Sequence, residues 1–394
     1  MAVTNVYGNG LNSTAGANTI VHFYDRAGIK AANRVNTYGQ FASKKEMPTK
    51  FGKTFKISKF LHMYDRSIND PEFATKGFLT ARTADEVSLA LTNAALSEGA
   101  GAVNKRSLQK ITVETTLARY GEMIDYTDEV DLFSEDYIQV KYREELGELA
   151  NSRYEDLIMM DMLATPTVMY SGDATTKGTI GNGINTDGSE DAEWKVSYDL
   201  IRKAVRKLKR NRAKKNTTIV TGSTKIDTKT VAPAFYAIID SDVKTDLENL
   251  VRGVSYEKEF AYVEAHKYAD AASLLDGEVG KMYEVRFIEA ESAPVFAGKG
   301  ATVPAGYNGT LAYTGTIGAG AKFDVHAILF PTQDAFATVG LKGQGKIVFK
   351  SKSPEEVELV NPYGTTGFFS YNFFYAGIIL QPEKLLAVYV GATK

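Results

Sequence analysis

The longest helical pattern in the chain is SEDYIQVKYREELGELANSRYEDLIMMDMLA, residues 134–164. Ser134 is a predicted N-cap followed by two acidic residues in the first turn, and Pro166 ends the pattern. An apolar stripe comprises Tyr142, Leu146, Leu149, Ala150, Leu157 and Ile158, and a charged face comprises Lys141, Arg143, Glu144, Glu145, Glu148 and Glu155. At 1.5 Å per residue such a helix is about 45 Å long, so we expect it to support a large or flat structure.

The segment before this helix is predicted to be a long excursion that leaves and returns through two strands. Apolar residues alternate in KTFKISKFLHM (53–63) and again in ITVETTL (111–117), which is the period of half-exposed strands. Between them, Thr83 and Glu86 have capping-box spacing, and a helical stripe follows at Val87, Leu91, Ala94 and Ala95. Residues 1–20 are polar and Gly-rich and are predicted to form an arm, followed by a short helix over 21–35.

The segment after the long helix is predicted to mix strands and helices. A loop rich in Gly, Asp and Thr (171–193) precedes a basic helix, and another helix is predicted from Ser241. Predicted strands are TTIVTGS (217–223), PAFYAIID (233–240), MYEVRFIEA (282–290), DVHAILF (324–330), GKIVFKS (345–351), GFFSYNFFYAGIIL (367–380) and KLLAVYV (384–390). The Gly-rich residues 298–321 are predicted to be a loop or an exposed hairpin. Together these elements indicate an α+β fold.

The composition is that of an ordinary folded protein, with 44% hydrophobic and 24% charged residues. The chain contains no cysteine, which excludes disulfides and thiolate metal sites. The polar N-terminal residues lack the pattern of a secretory signal, and the apolar stretch 368–380 is too short and too interrupted to span a bilayer. We therefore expect a soluble, non-secreted protein without a membrane partner.

The most charge-dense stretch is IRKAVRKLKRNRAKK, residues 201–215, which holds nine basic residues and no acidic one. Subtracting these nine charges from the net charge of −2 leaves −11 for the remainder, so the basic character is local. The spacing of Ile201, Ala204, Val205 and Leu208 predicts an amphipathic helix. Its charged face is interpreted first as a solvated rim or a contact with an acidic neighbouring subunit, and only then as a phosphate contact. The candidate subunit-contact residues are Arg202, Lys203, Arg206, Lys207, Lys209 and Arg210.

The sequence lacks recognisable catalytic, cofactor-binding and metal-binding motifs. His22, His62, His266 and His326 are far apart and are predicted to be structural or surface residues. The Gly-rich stretches 172–183 and 340–346 do not match a phosphate-binding loop. The loop TDGSEDAE (186–193) has Asp187, Ser189 and Asp191 at calcium-loop spacing, but the glutamate at the twelfth position is missing, so a bound ion is the less favoured interpretation. We predict a structural protein with no enzymatic activity, no cofactor and no metal.

The order of these parts resembles the major capsid proteins of tailed phages, which have the HK-97-type fold. The resemblance is carried by ALSEGAGAVNKRSLQKITVETTLARYGEMIDYTDEVD (95–131), AIIDSDVKTDLENL (237–250), GEVGKMYEVRFIEAESAPVF (277–296) and NPYGTTGFFSYNFFYAGIILQPEKLLAV (361–388). These stretches are similar to the branch of short-tailed, N-four-like phages, and the third is the most specific. The Gly-rich segment 298–321 has no counterpart there.

The resemblance implies a division of the chain into named parts. These are an N-terminal arm (1–50), an extended hairpin loop over a neighbouring subunit (51–115), a peripheral domain with the long helix as its spine (116–199), an axial domain (200–375) and a strand returning to the peripheral sheet (376–394). Members of this family assemble into hexamers and pentamers that form an icosahedral shell. The shell encloses double-stranded DNA without sequence-specific binding.

The resemblance also implies partners and a location. Besides other copies of the chain, the partners are a portal, a cement or decoration protein, and a scaffolding protein that we expect to be separate because the recognisable layout begins near residue 50. The location is the virion capsid, assembled in the bacterial cytoplasm. The main alternative is the shell of a protein nanocompartment with the same fold, and a more distant one is an α/β enzyme whose site the sequence does not reveal.

Overall fold

The computed structural model describes residues 36–60, 84–96, 98–99, 110–133, 138–216, 233–252, 257–258, 261–262, 277–342, 347–355 and 361–394. The described helices are α1 (Ala84–Ala94), α2 (Asp128–Phe133), α3 (Ile138–Leu163), α4 (Asp191–Trp194), α5 (Tyr198–Arg210) and α6 (Ser241–Asn249), with 3₁₀ turns at Tyr38–Phe41, Lys177–Thr179 and Pro382–Lys384. The predicted helix 21–35, the predicted strand 217–223 and the predicted caps Ser134 and Thr83 lie outside the described residues.

The described strands form two large sheets and three small pairs. They are β1 (Ser43–Met47), β2 (Thr54–Phe60), β3 (Lys110–Thr116), β4 (Ala118–Thr127), β5 (Val168–Tyr170), β6 (Phe235–Ile239), β7 (Val251–Arg252), β8 (Glu257–Lys258), β9 (Ala261–Tyr262), β10 (Glu278–Met282), β11 (Val285–Glu289), β12 (Tyr313–Thr314), β13 (Lys322–Phe323), β14 (His326–Phe330), β15 (Phe336–Leu341), β16 (Val348–Lys352), β17 (Thr366–Ile379) and β18 (Leu386–Val390). The small pairs are β2–β3, β7–β8 and β12–β13.

The first large sheet is built on β17, a strand of 14 residues. Its first part pairs antiparallel with β4 on one side and β16 on the other, and its last residues pair with β15, which carries β1 as a parallel edge strand. Aromatic side chains on β17 alternate between the two faces of the sheet, because successive residues of a strand point in opposite directions. The buried ones, Phe369, Tyr371, Phe373 and Tyr375, join the core that α3 covers.

Helix α3 packs against this sheet as its apolar stripe predicts. Leu146, Ala150 and Ile158 are buried, and the helix ends at Leu163, before Pro166. The assignment of Glu155 to the charged, solvated face is wrong, because this side chain is 1% exposed. Its carboxylate accepts hydrogen bonds from backbone N–H groups of the incoming chain, which is the kind of pairing that a buried charge requires.

The second large sheet has the order β5-β18-β14-β6-β11-β10-β9 and is covered on both faces. Alternate residues of β18 enter different clusters: Leu386, Val388 and Val390 pack with α5 and α6, whereas Ala387 and Tyr389 pack with the core beneath α3. Burial on both faces explains why β6 and β18 are continuously apolar. The last strand, β18, pairs with β14 and β5 in the second sheet. The return of residues 376–394 to a peripheral domain stays a prediction.

Two further predictions are corrected by the structure. MYEVRFIEA (282–290) is not one strand, because β10 and β11 form a hairpin whose turn lies at Tyr283, where φ is 56°, and Glu284. The Gly-rich segment 298–321 is not simply an exposed hairpin. Five of its apolar side chains are buried in the core, namely Ala301, Val303, Tyr307, Leu311 and Ala321.

Candidate subunit-contact surfaces

The basic run forms helix α5, and its local sequence accounts for both faces. The Ser197 hydroxyl caps the first turn by accepting a hydrogen bond from Leu200 N at 3.2 Å. The predicted apolar stripe is buried against the second sheet: Ile201, Ala204, Val205 and Leu208. The helix ends at Arg210, and Arg212 has a φ of 55°, so the last basic residues of the run lie outside the helix.

Two of the six candidate contact residues have partners on other elements of the chain. Lys207 donates a hydrogen bond to the backbone oxygen of Val168 at 2.9 Å. Lys209 lies 2.6 Å from Glu284, which also pairs with Lys215 at 2.8 Å. Burial acts to raise the pKa of Glu284, but the two ammonium groups outweigh burial and lower it. The Lys207 contact attaches α5 to β5, and the pairs with Glu284 attach the basic run to the β10–β11 turn. Lys207 is therefore already engaged within its own subunit.

The other candidates form the outward surface of α5. Arg202 makes an exposed ion pair with Asp199 at 3.5 Å, which leaves its guanidinium accessible. Lys203, Arg206 and Arg210 are exposed and have no ion pair among the described residues. We call Arg202, Lys203, Arg206 and Arg210 the basic rim.

The predicted two-stranded excursion is confirmed in its described part. Strands β2 and β3 pair antiparallel, with Ile57 opposite Val113. Phe55 and Val113 pack on the first sheet, and Thr115 donates a hydrogen bond to the backbone oxygen of Gly377 at 3.0 Å. Lys59 adds an ion pair with the buried Glu383 at 2.9 Å. One face of the hairpin therefore rests on its own subunit.

Large apolar side chains are exposed on and near this excursion. On α1, Leu89 and Leu91 are 62% and 66% exposed, and Leu96 follows the helix with 74% exposed. On α2, Leu132 and Phe133 are also largely exposed. No described residue covers the side chains that α1 presents. The sequence pattern of α1 predicted a helix but could not show that its apolar side is unburied. Large apolar side chains that are exposed in this way are typical of protein–protein contacts.

The acidic loop does not assemble the calcium ligands that its spacing suggested. Asp187 is exposed and accepts a hydrogen bond from Ser189 N at 3.0 Å, which lowers the pKa of its carboxyl. Asp191 points into the protein, where it accepts hydrogen bonds from the Tyr307 hydroxyl at 2.8 Å and from both N and Oγ1 of Thr310. Asp191 therefore joins the loop to the Gly-rich segment.

Among the four histidines, His326 alone lies in the described part of the chain. Its ring is buried in the first position of β14, and its Nδ1 is in contact with the Asp240 carboxylate. Burial acts to lower the pKa of His326, but the hydrogen bond to Asp240 and the charges of Asp240, Asp242 and Asp324 raise it above its usual value. Within the described residues no helix is long and apolar enough to cross a membrane.

Comparison with known proteins identifies the family of this fold. The phage capsid protein family matches residues 110–380, from β3 to the end of β17. The chain belongs to the phage capsid protein family. It is 27% identical over 393 residues to the major capsid protein of Pseudomonas phage KPP21, covering 96% of this chain and 94% of that protein. The family prediction is confirmed, and the chain is a structural, shell-forming major capsid protein of a phage.

Solved phage capsids share the fold at low sequence identity. The capsid of Ralstonia phage GP4 superposes with a TM-score of 0.57 at 10% identity, covering 98% of this chain and 99% of that one. The capsid of cyanophage P-SCSP1u gives a TM-score of 0.54 at 9% identity, covering 95% and 94% of the two chains. These similarities confirm the predicted α+β, HK-97-type capsid fold. The nanocompartment alternative is not favoured.

Proposed function

We propose that this capsid protein assembles into hexamers and pentamers that close into an icosahedral shell around double-stranded DNA, with the excursion lying over a neighbouring subunit. The observation that carries this proposal is the exposed apolar surface of α1, where Leu89 and Leu91 face solvent in the isolated chain. Covering such side chains with a second subunit removes apolar area from water, and many modest contacts of this kind add up in a closed shell.

We assign the sheet built on β17, together with α3, to the peripheral domain, and the sheet that carries α5 and α6 to the axial domain. The domain boundaries proposed here differ from those expected from the sequence. Strands β15 to β17 belong to the sheet built on β17, and β18 belongs to the sheet that carries α5 and α6. Residues 1–50 remain a proposed arm and 51–115 a proposed extended loop. From family membership we further propose a portal, a scaffolding protein, a cement or decoration protein, and assembly in the bacterial cytoplasm.

Electron microscopy of the purified protein tests whether it assembles into closed shells, and a double substitution tests whether α1 forms a subunit contact. In Leu89→Ser/Leu91→Ser we expect the yield of closed shells to fall at least about 10-fold, because the contact loses buried apolar area. The unassembled subunit should keep its thermal unfolding temperature. The matched control is Asp85→Ser/Asn93→Ser, which changes two exposed polar positions of the same helix. Shell yields that are equal in both variants would refute the assignment of α1.

We propose that the basic rim contacts a neighbouring subunit within the capsomer and does not bind DNA. The support is its position beside the tethered Lys207 and Lys209, on an isolated basic helix of an otherwise acidic chain. Lys203→Gln/Arg206→Gln/Arg210→Gln should reduce capsomer and shell yield while the remaining shells keep their DNA content. The control Lys44→Gln/Lys45→Gln/Lys350→Gln removes three exposed charges elsewhere. Normal shells with less DNA would contradict the proposal.

A further inference from the structure

Three potential metal ligands meet at one edge of the second sheet. Strands β6 and β14 run antiparallel with Ile238 opposite Leu329, which brings the residue after β6 next to the first residue of β14. Asp240, Asp242 and His326 converge there, and each offers one ligand atom within 4.8 Å of the other two. Asp240 and Asp242 are neighbours at the start of α6, whereas His326 is 86 residues after Asp240, so strand pairing brings the imidazole to the two carboxylates.

The buried part of this cluster has a polar atom without a partner. His326 is 1% exposed, and its Nδ1 already contacts Oδ2 of Asp240. Its Nε2 is also buried but makes no hydrogen bond within the described part of the chain. Buried imidazole nitrogens are normally satisfied, so the orphaned Nε2 calls for a water molecule, whereas Nδ1 is the ring nitrogen that faces the carboxylate of Asp240 and is the one placed to share an ion with it.

The charge of the cluster favours a cation. Two carboxylates face one imidazole, so the three side chains keep an excess negative charge even when the ring is protonated. The carboxylate of Asp324 adds to the negative field at the ring. The N-terminus of α6 offsets part of this charge, because Oδ1 of Asp240 accepts a hydrogen bond from Val243 N at 2.9 Å. Oδ2 of Asp240 is not used by this cap.

We propose that Asp240, Asp242 and His326 bind a divalent transition-metal ion such as Zn²⁺, with water completing the coordination. One imidazole and two carboxylates form a donor set typical of Zn²⁺, whereas Ca²⁺ and Mg²⁺ prefer oxygen alone. Asp242 is exposed and provides the route of entry. The ion joins the start of α6 to β14 and so holds the helix on the sheet. This site is independent of the proposed assembly and departs from the sequence-based prediction of no metal.

Titration of the untagged, full-length protein with ZnCl₂ after treatment with EDTA tests the site. Isothermal titration calorimetry should give one equivalent per chain, and Zn²⁺ should raise the thermal unfolding temperature. Asp242→Asn should weaken binding at least about 10-fold, because it removes one of three ligands. Its metal-free form should still fold, since the side chain is exposed.

Asp199→Asn is the matched control, because Asp199 occupies the same position after the cap of α5 as Asp242 occupies in α6. This variant should bind Zn²⁺ like the unmodified protein. Titration with CoCl₂ gives a second readout, because a Co²⁺ absorption band should appear in the unmodified protein and be lost in Asp242→Asn. The proposal is overturned by no binding, by equal binding in Asp242→Asn, or by an equal loss in Asp199→Asn.

Discussion

Glu155 connects the beginning of the described chain to the middle of the long helix. Its buried carboxylate accepts hydrogen bonds from the backbone N–H groups of Tyr38 and Gly39. Hydrogen bonds to an ionised acceptor are stronger than neutral ones, and they orient the incoming chain at the point where it reaches α3. A single charged residue in the core thus determines where the chain enters the fold.

Replacing Glu155 by glutamine should destabilise the unassembled protein by about 1.5–3 kcal/mol, because one N–H group then faces an amide in place of a carboxylate. Urea unfolding measures the loss, and limited proteolysis should cut faster on the N-terminal side of Tyr38. Glu145→Gln, at an exposed position of the same helix, should change stability by less than about 0.5 kcal/mol. Equal effects of the two substitutions would contradict the role of Glu155.

Asp161 and Tyr375 form a second polar contact between α3 and β17, at 2.8 Å. Burial raises the pKa of Asp161, although the hydrogen bonds from Tyr375 and Gly377 act to lower it. The folded protein therefore binds a proton at Asp161 more readily than the unfolded chain does. This group's contribution to stability should rise as the pH falls through the raised pKa, and level off below the pKa of the unfolded chain.

Asp161→Asn should remove this gain in stability at low pH and leave the pH dependence that comes from the other groups unchanged. Urea unfolding of the unassembled protein between about pH 7 and pH 4 measures it as the difference between the two profiles. Asp156→Asn, which removes a carboxylate from the same helix without touching Tyr375, is the control. The assignment is refuted if the free energy of unfolding of the unmodified protein minus that of Asp161→Asn stays constant or increases as the pH rises.

At the scale of elements, two glycines have opposite roles. Gly121 lies on β4 where β17 passes close by, and a Cβ there would be 2.4 Å from the backbone oxygen of Tyr371. Gly147 lies within α3, and a Cβ there would have nothing within 4 Å. The first glycine permits the long strand pairing, whereas the second only weakens the helix.

Gly121→Ala should therefore destabilise the protein by about 1–3 kcal/mol, because the strands must separate to admit a methyl group. Gly147→Ala should stabilise it by about 0.5–1 kcal/mol, because alanine is a better helix former. Chemical denaturation of the unassembled subunit compares the two variants directly. If both substitutions change the free energy of unfolding in the same direction, the environment assigned to one of the two glycines is wrong.

Hydrophobic periodicity predicted about half of the described helices and strands. The stripes of α3 and α5 and the alternation in β2 and β3 each appear in the structure where the sequence placed them. MYEVRFIEA was mistaken for one strand, since it lacks the Gly or Asn that marks a tight turn, and Tyr283 adopts the positive φ instead. The burial of Glu155 was missed because its partners are backbone groups that no side-chain pattern reveals.

At the scale of the whole molecule, the Gly-rich segment 298–321 is part of the core. Its backbone pairs with neighbouring loops, as in Ala301 N to Ile180 O at 2.8 Å. Burial raises the pKa of Tyr307, which keeps its hydroxyl a donor to Asp191. Lys394 N donates to Thr310 O, so the segment also holds the end of the chain.

Replacing residues 305–319 by a short Gly-Ser linker should give insoluble protein, because Tyr307 and Leu311 would leave cavities and Asp191 would lose its donors. Inserting the four residues Gly-Ser-Gly-Ser after Gly318 should be tolerated, because Gly318 is exposed and has open space around it. Soluble yield and thermal unfolding distinguish the two. A soluble, stable replacement would show that the segment is dispensable for folding.

The sequence by itself determined the helices and strands with a regular hydrophobic pattern, the α+β class and the capsid family. Burial of one face gives a helix or strand a hydrophobic period, and several stretches of the sequence resemble those of the family. Only the tertiary structure decided that β18 joins the second sheet and that His326 meets Asp240 and Asp242. It also decided that Lys207 and Lys209 contact other elements, whereas Arg202 of the basic rim pairs with Asp199 of its own helix. These outcomes depend on strand order and register. They bring together residues far apart in sequence, and no local pattern records such a meeting.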